Sequence, residues 1–144
     1  MVANLKPLIR FRRHGVDEKR RILSQLFREQ EKVIAQKEVI EQQMDNEIEL
    51  AKEMGTADAQ AYLGKYLEGA RKKVYALEST IKKMDVRIAA AQEDIRAAFA
   101  EVKKVEITQA NREAKEAAEQ KRKEDASFDE IALEQFRRQE DDAK

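Results

Sequence analysis

Between Leu63 and Val105 every inward position of a seven-residue repeat is apolar. One seam position takes Leu67, Val74, Ile81, Ile88, Ile95 and Val102, and the other takes Leu63, Ala70, Leu77, Met84, Ala91, Ala98 and Val105. Spacing of 3 and 4 kept over so many turns, with β-branched residues dominating the first position and charged residues between, is the pattern that supercoils a helix left-handedly against another. Ala91 and Ala98 let a partner helix approach closely, and Ile88 and Ile95 supply larger side chains to bury. Packing, rather than chemistry, specifies this segment.

The preceding segment carries a looser version. Leu23, Leu26, Val33, Ile40, Met44, Ala51 and Met54 hold a seam that Gln30, Lys37 and Glu47 interrupt, while Phe27, Ile34 and Ile48 widen the stripe toward the 3.6 period of a straighter helix. With 4 Gly and 1 Pro in 144 residues, and that proline at Pro7, the chain has few places to break, so few and long helices are expected. Gly55 suits a left-handed helix end, Thr56 suits a cap for a second helix, and Asp58 is favourable in its first turn. The expected fold is all-α: a long antiparallel two-helix coiled-coil hairpin over residues 1–124, with its tip near 55–58, and a short C-terminal helical or partner-ordered tail over 125–144.

Charge separates a folded-back hairpin from two parallel chains. Residues 29–58 hold 3 basic and 9 acidic residues, and 59–84 hold 6 basic and 2 acidic. Opposite signs meet in a hairpin, whereas a parallel in-register dimer sets like against like. Residues 1–28 carry 8 basic and 2 acidic residues, but 85–112 carry 5 of each, so the end near the termini does not discriminate. Folding back at residue 56 brings Met1 beside residues near 111 and leaves an overhang. Its first part has small alanines and no large apolar residue. Farther on, Ser127 and Glu130 have capping-box spacing for a new turn, and Phe128 with Leu133, or Ile131 with Phe136, can form small apolar contacts.

Catalysis is not expected. The chain has no Cys and a single histidine, His14, which leaves no histidine cluster, no thiolate metal site and no disulfide. It has no glycine-rich phosphate loop and no nucleophile with an adjacent histidine, and acidic pairs such as Asp45 with Glu49 arise by chance in a chain 40% charged. No catalytic residue, cofactor or metal is assigned; His14 is read as a surface or end-cap residue in preference to a pH sensor. No apolar stretch approaches the roughly 20 residues of a membrane span, and the start lacks a signal core, so an intracellular, soluble protein is expected. The 29 basic and 29 acidic residues cancel, which removes the bulk attraction of a nucleic-acid binder. Locally, Lys6, Arg10, Arg12, Arg13, Lys19, Arg20 and Arg21 form a basic group that is either a solvated face or a contact for an acidic protein. Phe11 and Phe27 are read as packing residues rather than a base-stacking platform. Tyr66 is equally suited to seam support and to partner contact.

The ordered motif Leu8, Ile9, Arg12, Arg13, His14, Val16, Asp17, Glu18, Lys19, Arg20, Arg21, opening a hairpin of this length, resembles the flagellar export protein FliJ family. Asp129, Glu130, Ile131, Ala132 and Phe136 are similar to the acidic and apolar signature near that family's C-terminus. The resemblance implies a soluble stalk of the bacterial flagellar type III export apparatus, serving flagellum biogenesis and motility. Such a stalk couples the export ATPase ring to the membrane export gate, and escort of export chaperones is also attributed to the family. The tip at Gly55 and Thr56 and the opposite charges of the distal arms predict a monomer when free, and the resemblance implies a place in the cytoplasm, peripherally associated with the inner membrane through the apparatus. An ATPase-binding set would comprise Arg10, Arg12, Arg13, Phe128, Ile131 and Phe136; a gate-binding set would comprise Gln36, Ile40, Gln43, Glu47, Tyr66 and Ala70. Gln43 and Glu47 depart from the aromatic residues that the family pattern favours. The competing reading is a structural or adaptor coiled-coil spacer without an export role.

Overall fold

The computed structural model describes residues 4–143; Met1–Ala3 and Lys144, which the ranges 1–124 and 125–144 include, lie outside the described residues. It contains α1 (Lys6–Met54) and α2 (Ala57–Asp142), packed antiparallel, with no strand among the described residues. Asn4 opens α1 by accepting the Lys6 N–H at 3.0 Å, and Pro7 lies in the first turn, where its missing N–H leaves no helical bond unmade. At the tip, Gly55 takes φ 63° and donates its N–H to Ala51 O at 3.1 Å, ending α1 in the conformation glycine adopts without a Cβ penalty. Thr56 Oγ1 then accepts the Ala59 N–H at 3.1 Å, capping α2. The hairpin and its turn are those expected.

Two compact units are distinguished: Gly15–Ala98, and Met1–His14 with Phe99–Lys144. In the first unit, all the expected α2 seam residues from Leu63 to Ala98 are buried or half-buried, and the stripe reaches one step farther back to Ala59. On α1, Val16 and Ala51 are buried, and Leu23, Leu26, Val33, Ile40 and Met44 are half-buried. The polar interruptions do not break this seam. Gln30, only 9% exposed, donates Nε2 to Asp85 Oδ1 at 2.5 Å and lies 3.4 Å from Ile81 O. Lys37 lays its stem along the seam and reaches Glu78 at 3.3 Å across the hairpin and Glu41 at 3.6 Å on its own helix. The hydrogen bond to Glu78 holds the Lys37 ammonium above its ordinary pKa, with Glu41 adding to the effect. A seam amide or ammonium finds these partners in one register only, so it specifies alignment where an aliphatic side chain would tolerate a slip.

Five expectations for apolar residues divide by position. Ile34 and Ile48 are half-buried and widen the stripe as anticipated. Met54, expected in the seam, is 59% exposed: it is the last residue of α1, at the edge of a groove that the start of α2 borders with Asp58 and Tyr62 and does not cover. Phe27 and Phe11, expected to pack, are 40% and 73% exposed; each lies off the narrow stripe that one partner helix can cover. The block charges also act less directly than their sums imply. The cross-arm pair in this unit, Lys37 with Glu78, takes its cation from the acidic arm and its anion from the basic arm. Spin labels at Glu41 and Lys72 are expected to lie close together within one chain, giving a distance signal by pulsed electron paramagnetic resonance that survives dilution with unlabelled protein. Loss of that signal on dilution would place the contact between chains instead.

In the second unit, Ile9, Val102 and Gln109 are buried, and Leu5, Val105 and Glu106 half-buried. Gln109, one heptad beyond Val102, accepts the Leu5 N–H at 3.0 Å through Oε1 and donates to Glu113 at 2.8 Å, so it satisfies a helix-start N–H while extending the seam. From Ala110 to Ala143 every residue is exposed, as an overhang requires. The Ser127 capping box does not form a boundary: α2 runs through it without interruption, and an N-cap needs a residue outside helical dihedrals.

Candidate interaction surfaces

Near the termini, the first turns of α1 present Arg10, Arg12 and Arg13 on exposed positions. Arg13 binds Glu106 at 2.5 Å, and Lys103 reaches the other carboxylate oxygen at 3.2 Å. The Arg13 guanidinium, and after it Lys103, holds the Glu106 carboxyl below the usual carboxylate range. A depressed carboxyl pKa means that this contribution to stability is present above the unfolded value and is lost as pH falls through the folded value. The pair is solvent-accessible, so its contribution is modest. Lys6, Arg10 and Arg12 form no ion pair among the described residues; Lys6 and Arg10 line a recess of about 410 Å³ with Ile9, Gln109 and Ala110, and Arg12 lies outside it.

The other half of the anticipated ATPase set lies elsewhere on the same unit. Phe128, Ile131 and Phe136 are 68, 51 and 61% exposed on the overhang, with Phe128 and Ile131 one turn apart on a shared face. Phe128 stands 22 residues beyond Glu106, the partner of Arg13, or roughly 33 Å along the helix axis. The basic and aromatic groups are therefore two surfaces rather than one pocket. The pairings Phe128 with Leu133 and Ile131 with Phe136 leave all four side chains largely in solvent.

The anticipated gate set also divides. Gln36 and Ile40 line a groove of about 800 Å³ between the arms, together with Ala35, Val39, Ala76 and Leu77, and with Lys32 and Lys73 at its rim. Glu47 belongs to a separate groove at the tip, Gln43 is exposed outside both, and Tyr66 is half-buried and stacked on Tyr62. Ala70 is 6% exposed within the seam, so it sets the spacing of the arms and offers no side chain to a partner. Sequence reasoning missed Val39, which is 56% exposed and lies beside Ile40 in the groove; its signal was an apolar residue outside the heptad seam one turn from Gln36.

No described helix is long and apolar enough to cross a membrane, and no group of three or more His, Cys, Asp or Glu residues is arranged to hold a metal among the described residues. What the geometry offers is exposed charge and apolar grooves on a long helical pair. Residues 1–141 match the flagellar FliJ protein family. The chain belongs to the FliJ family. Among curated proteins and solved structures, none matches significantly. Because the family match spans both arms and the overhang, membership in FliJ supports a flagellar export role for the whole of this architecture, and indirectly a non-enzymatic one. The two helices packed against each other fit the coiled-coil character of the chain.

Proposed function

We propose that this FliJ-family chain is the stalk of the bacterial flagellar type III export apparatus, coupling the export ATPase ring to the membrane export gate. The observation that carries this reading is the family match over residues 1–141 on a hairpin that holds unpaired cations near its termini and an apolar groove on its arms. In this reading Arg10, Arg12 and Arg13 face an acidic rim of the ATPase, and Phe128, Ile131 and Phe136 of the tail, over 125–144, add apolar contacts at a second point. Gln36 and Ile40, in the groove with Val39, meet the gate, with Gln43, Glu47 and Tyr66 flanking and Ala70 acting through arm spacing. A single copy serves as the stalk, in the cytoplasm and held at the inner membrane through the apparatus, and the exposed overhang gives export chaperones a place to be escorted.

Reversing Arg10, Arg12 and Arg13 to Glu is expected to weaken ATPase binding and stimulation while helicity stays nearly unchanged, since Arg10 and Arg12 make no ion pair among the described residues and Arg13, itself exposed, has one partner there, the half-buried Glu106. Raising salt should reproduce part of that loss. Binding measured by surface plasmon resonance across ionic strengths checks this. Unchanged binding by the reversed variant, with loss of binding on deleting the tip, would assign the opposite end; a stable parallel dimer that ignores the ATPase would instead indicate a spacer.

A further inference from the structure

Toward the tip of the unit Gly15–Ala98, Leu50, Met54 and Tyr62 are 50, 59 and 60% exposed and share one groove of about 500 Å³ with Glu47 and Asp58. Leu50 and Met54 are one turn apart on α1, so their side chains stand on a common face. Tyr62, on α2, is stacked on Tyr66 with ring centroids 6.3 Å apart and 23° between the planes, which fixes the aromatic wall before any occupant arrives. Met54, unbranched and polarisable, adapts its thioether to an irregular apolar surface. Three large apolar side chains clustered in water in this way mark an interaction site rather than a solvated helix face.

Electrostatics select the occupant. From Asp45 to Gly64 the chain carries five acidic residues, Asp45, Glu47, Glu49, Glu53 and Asp58, against the single cation Lys52, which Glu49 already engages at 3.4 Å. Glu47 and Asp58, the carboxylates of the groove, have no cationic partner among the described residues. The mid-arm groove has the opposite character: Lys32 and Lys73 line it, both without an ion-pair partner among the described residues, and no carboxylate does. The geometry points to the tip groove as a docking site for an amphipathic helix of a partner protein whose apolar anchors are flanked by lysine or arginine. Such a helix is attracted at the tip and repelled by the lysines of the mid-arm groove, so the two grooves do not share an occupant. This site goes beyond the stalk reading and shares Glu47 with the flank of its gate surface, but neither reading rests on the other.

The test uses the full chain and two fluorescein-labelled synthetic amphipathic helical peptides with identical leucine and phenylalanine anchors, one flanked by lysines and the other by glutamates. Fluorescence anisotropy should show binding of the lysine-flanked peptide and at least about tenfold weaker binding of its glutamate counterpart. The double substitution Leu50→Ala with Met54→Ala keeps every charge and should weaken the lysine-flanked peptide by at least about tenfold. Glu47→Lys should weaken it in a salt-dependent way, and Val39→Ala, in the other groove, should leave it unchanged. Circular dichroism of each variant confirms that the helices persist; if the double variant loses helicity, Glu47→Lys and Val39→Ala decide between the grooves. Absence of binding, equal affinity for the two peptides, affinity undiminished in a folded Leu50→Ala, Met54→Ala chain, or loss of binding through Val39→Ala would each overturn the proposal.

Discussion

Ile88→Asp is expected to lower the melting temperature of the hairpin far more than Glu93→Ala, and to leave much of the chain unfolded at temperatures where the native protein is intact. Ile88 is 6% exposed in the middle of the α2 seam. Losing its burial costs roughly 1.5 to 3 kcal/mol, and an unpaired carboxylate in the same place adds a desolvation penalty of its own. Against a total stability on the order of 5 to 15 kcal/mol, one such change is a large fraction. Glu93 is exposed and, among the described residues, paired only with Arg96, one turn along the same helix, so its removal stays within about 0.5 kcal/mol. Thermal melts followed by circular dichroism check the difference. Equal shifts for the two variants would mean that Ile88 does not face the partner helix.

The second large effect concerns Gln30, where the sign of the change depends on what replaces it. Gln30→Glu removes the N–H donor that Asp85 accepts at 2.5 Å and sets two carboxylates against each other at a position only 9% exposed. A loss of roughly 1 to 3 kcal/mol is expected at neutral pH. The repulsion raises the pKa of the carboxylate pair in the folded state, so the unfolded chain releases protons more readily and the deficit is full above the folded value. As pH falls through the carboxylate range, one proton restores a donor and the variant should regain stability relative to the native chain. Gln30→Leu, by contrast, continues the apolar seam and is expected to hold or raise the melting temperature while relaxing the register that the amide enforces. Melts of both variants at neutral and acidic pH check these opposite signs; a deficit in Gln30→Glu that deepens on acidification would show that Asp85 is not the group it meets.

The register residues bear on function through the surfaces they align. In the unit Gly15–Ala98, Gln30 with Asp85 pairs the arms just before the α1 stretch that lines the mid-arm groove, and Lys37 with Glu78 pairs them within it. A slip of one arm by a heptad would keep apolar residues in the seam yet take Val39 and Ile40 away from Ala76 and Leu77, and with them the groove. Polar residues that weaken the seam as a source of stability thus protect the arrangement that makes a partner surface.

What could be read from residues alone was whatever depends on local rules and on one continuous stripe. The run from Leu63 to Val105 demands a helical partner because thirteen apolar positions at this spacing are stable only when covered, and all of them are buried or half-buried. Gly55 and Thr56 were legible as a turn because a left-handed φ and a side-chain cap are properties of those residue types at that place. Tertiary structure decided the rest, because burial depends on what stands opposite. Gln30 and Lys37 looked like breaks until Asp85 and Glu78, far away in sequence, supplied partners. Gln109 extends the seam only because Leu5 presents an N–H across from it, and Met54, at the end of α1, is left 59% exposed because the start of α2 borders it without covering it. The same reason separates Arg13 from Phe128, and Ile40 from Glu47: a motif records which side chains a family keeps, whereas helix rise and the facing arm determine which of them share a surface.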